Sequence, residues 1–350
     1  MNSKKFFITT IISIILILIG VGSTMIVVDP YFHYHKPLKY LKYKYWDQRY
    51  INNGIIRHFD YNGIIIGTSM TENFRNSQFH KLFKVNSVKI PFSGATYKEI
   101  NKNIEIALKN KNNIKIILRG LDYGYINKKF NKQKYKEYPI YLYDDKLLND
   151  YKYLFNKMLI LKGLGGVFFN TLKNKETTSF DDYSSWRDEK FGKNIILKSY
   201  KREKKNIEIE KLSKADIEII RENIQKNVLD VPLQYPNTKF IYFITPYSIV
   251  YWDSINQSGE ILKQLEAEKI MIEMILEVPN IELYSFFNNY DLITNLDNYK
   301  DAGHYIYTIN DKILDWISKK EYRLTKDNYK EYLEKNKEFY LNYDYDSIFN

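Results

Sequence analysis

Ser69 and His304 are the two side chains of this sequence best placed for nucleophilic chemistry. A hydroxyl becomes a nucleophile when a base takes its proton, and that base is most often a histidine held in one tautomer by a carboxylate. The chain has no cysteine, which excludes thiolate nucleophiles, disulfides and thiolate metal sites, and it has five histidines. His33 and His35 lie near the N-terminal apolar segment and form the one ligand-like pair. His58 precedes the first predicted strand, at the wrong end of a parallel sheet, and His80 falls on a predicted surface helix. His304, in NYKDAGHY, follows the last predicted strand. Asp301 precedes it by three residues, close enough within one turn for the carboxylate to reach the imidazole.

Ser69 lies in GIIIGTSMTENF, residues 63–74. The isoleucines read as a buried strand, and the residues from Thr71 to about Phe83 as a helix. A serine at such a junction suits catalysis because N–H groups at a helix start stabilise a developing oxyanion. The same residues fit a capping box, S-x-x-E with Glu72, in which hydroxyl and carboxylate satisfy unpaired N–H groups. Thr71 stands where the G-x-S-x-G nucleophile elbow has its second glycine. Both readings of Ser69 stay open on local sequence. A phosphate site at this helix start is the weaker idea, because the glycine-rich lysine loop is missing.

The elements needed to position these residues alternate. Strands are expected at 63–69, 86–93, 114–121, 239–247 and 281–286. Amphipathic helices are expected at 97–110 and about 261–276, with a final helix after Gly303. This alternation predicts an α/β fold with a mostly parallel sheet, whose site lies beyond the carboxyl ends of the strands. Residues 122 to about 235 interrupt it with a tyrosine-rich, charged stretch containing GLGG and a helical segment near 213–229. It reads as an inserted cap over the site. Residues 321–350 read as a helix and tail.

Phe6 to Val28 form an uncharged apolar run of about 23 residues, long enough to cross a bilayer as a helix. Lys4 and Lys5 precede it and favour a cytosolic N-terminus, so everything after Asp29 is expected outside the cell membrane as a single-pass, extracytoplasmic protein. No Ala-x-Ala site follows, which favours an uncleaved anchor (1–28) over a signal peptide. Residues 29–60, rich in Tyr, His and Lys, read as a juxtamembrane connection ahead of the main domain at 61–320. The net charge of +11 is spread among acidic residues, which argues against nucleic acid and for an anionic membrane or wall polymer.

GTS at 67–69, the glycine of PFSGATY (Gly94) and D-x-x-H at 301–304 together resemble the SGNH, or GDSL-like, hydrolase superfamily over about residues 60–320, the insertion aside. The resemblance implies a flavodoxin-like three-layer sandwich without cofactor or metal. It makes Ser69 the nucleophile, His304 the base and Asp301 its orienting acid, with the N–H groups of Ser69 and Gly94 in the oxyanion hole. Two positions depart from the pattern. Thr68 replaces the aspartate of G-D-S, and RGLDYG offers Leu121 and Asp122 where an asparagine donor is usual. Asn73, one turn past Ser69, is the substitute donor expected here. A membrane-anchored domain of this kind looks most like the proteins of cell-surface polymer O-acylation, such as those of teichoic acid D-alanylation. The expected function is therefore a serine esterase or O-acyltransferase acting on envelope glycans, with a teichoic-acid-like polymer and a membrane-bound O-acyltransferase as partners. The alternative is a non-catalytic glycan-binding or assembly module on the same fold.

Overall fold

A computed structural model describes residues 3–111, 113–134, 138–206 and 208–349. The first two residues of the expected anchor lie outside that set. The chain divides into two compact units, one of residues 1–59 and 137–179, the other of residues 60–136 and 180–350.

The larger unit is α/β. Its six strands, β1 (Gly63–Ile66), β2 (Ser87–Lys89), β3 (Ile116–Leu121), β4 (Lys239–Ile244), β5 (Ile281–Ser285) and β6 (Arg323–Leu324), lie in the order 2-1-3-4-5-6. The first five pair in parallel, and β6 pairs antiparallel with β5. β1, β3 and β4 are runs of Ile, Leu and Phe buried along almost their whole length, as strands covered on both faces must be. Strand order reverses between β1 and β3, the switch point at which such sheets open a crevice beyond the strand ends. The helix Tyr97–Asn110 starts at a full capping box formed by Thr96 and Glu99, and buries Ile100, Ile104, Ala107 and Leu108.

The expected C-terminal helix is present, and a short strand precedes it. β6 extends the sheet, and the helix Tyr329–Asn342 buries Tyr332 and Tyr340, whose hydroxyls donate to Glu268 Oε1 and the Phe287 carbonyl, each at 2.7 Å. The insertion is not one cap. Residues 137–179 fold with the N-terminal 59 residues, while residues 180–235 stay with the α/β unit.

The smaller unit contains the helix Ser3–Val28, the one helix among the described residues long and apolar enough to cross a membrane. The stretch read as a connection is folded and includes the helix Gln48–His58. Asp29, at the end of the long helix, accepts hydrogen bonds from the Tyr153 hydroxyl and the N–H groups of His33, Tyr34 and His35. Gly54 and Gly163 mark close approaches, since a Cβ there would fall 2.4 Å from the Phe32 carbonyl and 2.7 Å from the Tyr31 ring.

Candidate active site

β1 ends at Ile66, and a single 3₁₀ turn, Ser69–Thr71, takes the chain across the top of the sheet. Gly67 is required there. A Cβ on it would sit 2.5 Å from the Thr71 methyl, which also packs against Gly120 of the neighbouring β3. The helix expected from Thr71 begins only at Asn76. Thr68 supplies the cap, its hydroxyl accepting from Met70 N–H at 3.4 Å, and Glu72 N–H bonds the Ser69 carbonyl rather than its side chain. The Ser69 hydroxyl is thereby left for a tertiary partner.

That partner is His304, with Ser69 Oγ and His304 Nε2 2.7 Å apart. On the other side of the ring, Nδ1 lies 2.8 and 3.0 Å from the two Asp301 carboxylate oxygens. A carboxylate accepts only, so Nδ1 carries the proton and Nε2 is free to accept from the serine. Asp301 also accepts from the N–H groups of Gly303 and His304, a local turn that fixes its rotamer. Partial burial alone would raise the Asp301 carboxyl, but the hydrogen bond and charge of His304 and the two N–H donors hold it down at about 2. The carboxylate therefore stays ionised at any pH at which a histidine base works.

The loops that carry Ser69 and His304 are clipped to each other. The Met70 carbonyl accepts from Asn310 Nδ2 at 3.0 Å and the Tyr305 hydroxyl at 3.3 Å. Ser248 bonds the Ala302 carbonyl through both its N–H and its hydroxyl. These clips hold His304 over Ser69 through long-range contacts of about 235 residues, which no local motif signals.

Three donors expected for an oxyanion have no partner among the described residues. The N–H groups of Ser69 and Gly94 have no hydrogen-bond acceptor among the described residues. Gly94 holds φ 65°, a conformation that favours glycine, and its carbonyl accepts from the Tyr125 hydroxyl. Asn73 is fully buried. Its Oδ1 accepts from Trp186 N–H at 3.0 Å and Ser185 Oγ at 3.3 Å, which fixes the orientation of the amide and leaves Nδ2 a buried donor without a partner.

Asp122 is an internal partner of the serine turn. Its oxygens accept from the hydroxyls of Thr68 and Tyr247, both at 2.7 Å, and its carbonyl accepts from Tyr97. Full burial raises its carboxyl, opposed by those two hydroxyls and by the charges of His304 and Arg119. Thr68 and Asp122, the two positions that depart from the pattern the sequence resembles, are thus bonded to each other. Their pairing spans 54 residues, so no local signal shows it.

Trp186 was not singled out by any sequence signal, lying in an aperiodic part of the insertion. Its ring meets His304 edge-on at 5.5 Å, stacks near Phe191, and carries Lys300 Nζ 4.2 Å above its centre. Lys89 at the end of β2 holds this segment down, donating to the carbonyls of Glu72, Phe74 and Asp181. Burial, with the nearby Arg187 charge, lowers its ammonium to about 7.

The remaining histidines go elsewhere. His33 Nε2 meets Asp150 at 3.1 Å, His35 and His58 meet backbone carbonyls, and His80 Nδ1 meets the Val85 carbonyl. No family profile, curated protein or solved structure matches the chain.

Proposed function

We propose that this chain is a membrane-anchored serine esterase or O-acyltransferase of the SGNH type, acting on acyl groups of cell-envelope glycans. The observation that carries the reading is the continuous Ser69–His304–Asp301 relay, at 2.7 and 2.8 Å, on the switch-point edge of a parallel sheet. The 2-1-3-4-5 strand order supports the flavodoxin-like sandwich on which such a site is built.

In the first half-reaction Ser69 Oγ attacks the acyl carbonyl carbon as its proton passes to His304 Nε2. The carbonyl electron pair moves onto oxygen, where the N–H groups of Ser69 and Gly94 and Asn73 Nδ2 are the donors. Collapse of this intermediate breaks the bond to the leaving oxygen, which takes the proton from His304. Water or a sugar hydroxyl then gives its proton to His304 and attacks the acyl carbonyl carbon. The bond from that carbon to Ser69 Oγ breaks, Oγ takes the proton back from His304, and the free acid or the acylated sugar leaves. Asp301 stabilises the imidazolium in both halves. The apolar N-terminal helix and the preceding Lys4 and Lys5 support anchoring with the α/β unit outside the cell, beside a teichoic-acid-like polymer.

The test is turnover of p-nitrophenyl acetate by the full chain in detergent. The esterase reading expects hydrolysis that disappears in Ser69→Ala without loss of folding. Absence of turnover, with wall polymer still bound, would favour a non-catalytic binding module.

A further inference from the structure

The segment Leu159–Leu172 carries apolar side chains on both of its helical faces, with Lys162, Asn170 and Thr171 as its polar residues. Leu159, Gly163, Leu164 and Val167 are buried within the smaller unit. Met158, Leu161, Phe168, Phe169 and Leu172 face outward and are between 43% and 86% exposed. An exposed apolar face of this size belongs against an apolar medium, not at a water surface. Just before it, Leu147 and Leu148 are 77% and 95% exposed on one short turn.

This surface is continuous with the long apolar helix of the same unit. A Cβ on Gly22 would lie 3.5 Å from the Phe155 ring, and the buried side of the helix there is Gly22, Met25 and Val28. Gly22 sits six residues, about 9 Å, inside the outer end of the apolar run. A run of this length overfills a hydrocarbon core of about 30 Å by only a few ångström. Phe155, touching Gly22, is therefore below the headgroup level whenever the helix spans. Charge matches the same setting. Residues 29–59 and 137–179 carry twelve Lys and Arg against seven Asp and Glu, a net +5, while the much longer α/β unit carries +4.

We propose that residues 147–172 are a second membrane attachment, with Leu148, Phe169 and Leu172 sunk in the acyl region of the outer leaflet and the flanking lysines among anionic headgroups. Apolar burial and basic flanks are the two contributions that hold interfacial helices on bilayers. The proposal rests on the anchor reading of the N-terminal helix, and deepens it from a tether to a seated platform.

The absence of cysteine allows a clean test on the full chain. Single cysteines at Leu148, Phe169 and Leu172, all already exposed, are labelled with an environment-sensitive fluorophore in vesicles of phosphatidylcholine and phosphatidylglycerol. Ile14 marks the spanning helix and exposed Glu334 marks the aqueous side. Lipids carrying a nitroxide high on the acyl chain are expected to quench the three patch probes at least about fivefold more strongly than the probe at 334. Patch probes that behave like the one at 334 while 14 is quenched would overturn the proposal and leave the anchor standing. Loss of quenching at 14 as well would overturn both. Patch probes quenched neither in vesicles nor in native membranes, yet shielded from aqueous reagents in the latter, would assign the face to a protein and overturn the lipid assignment.

Discussion

The two units of this chain differ most in what they leave exposed, although both bury charged groups, Asp29 and Asp150 in the smaller unit among them. The α/β unit takes charged groups inside: Arg119, Lys89, Glu268, Asp253 and Asp122 are all buried, and each meets hydrogen-bond partners. The smaller unit leaves large apolar side chains outside, from Phe6 to Leu18 on the helix and from Leu147 to Leu172 beyond it. Buried polar networks cost desolvation and are kept where geometry must be unique. Exposed apolar surface is stable only against a nonaqueous neighbour. The contrast separates a unit rich in buried charge networks from one with a long exposed apolar surface.

The sharpest way to break this contrast is a pair of alanine variants. His304→Ala is expected to lower ester turnover on the order of 10⁴-fold with an unchanged melting temperature, whereas Phe169→Ala leaves turnover of a small soluble ester unchanged. Equal losses in both would merge the two roles. Asn73→Asp keeps the acceptor for Trp186 N–H but exchanges the unpartnered donor for an acceptor. It is expected to cost on the order of a hundredfold in kcat with little change in KM, measured by steady-state kinetics.

The Thr68–Asp122 pair offers a test within the buried network. Thr68→Asp sets a second carboxylate against Asp122 and is expected to destabilise the chain by about 3 kcal/mol in denaturant unfolding, and Thr68→Asp/Asp122→Asn to recover most of it. A pH-dependent test concerns Glu268, held between the Tyr123 and Tyr332 hydroxyls. Burial pushes its carboxyl up to about 7, against the lowering effect of those hydroxyls. The folded chain thus keeps a proton that the unfolded chain releases near pH 4.3. Stability is then full below that pH, falls as pH rises towards about 7 and levels off above. Glu268→Gln is expected to flatten that slope in urea midpoints while leaving turnover intact.

Much of the α/β unit was legible in sequence because its signals are local. The apolar runs of β1, β3 and β4 and the 3.6-residue period of Tyr97–Asn110 sit where expected. Ser69, Asp301 and His304 emerged from the scarcity of histidines and the strand-end rule, and the fold sets them in hydrogen-bond reach of one another. What stayed hidden is non-local. The S-x-x-E pattern at Ser69 and Glu72 suggested a cap, but Thr68 took that part and His304 took the serine hydroxyl. The insertion lacked periodicity, so its division between the units, and the arrival of Trp186 at His304, had no local signal. β6 is two residues long and is held by its partner strand rather than by its own propensity.

The most direct measurement is the mapped mass of the adduct formed when the full chain reacts with a fluorophosphonate. The account predicts one adduct, on Ser69, absent in Ser69→Ala and formed far more slowly in His304→Ala. No adduct, or an adduct on Ser69 whose rate is indifferent to His304, would contradict it.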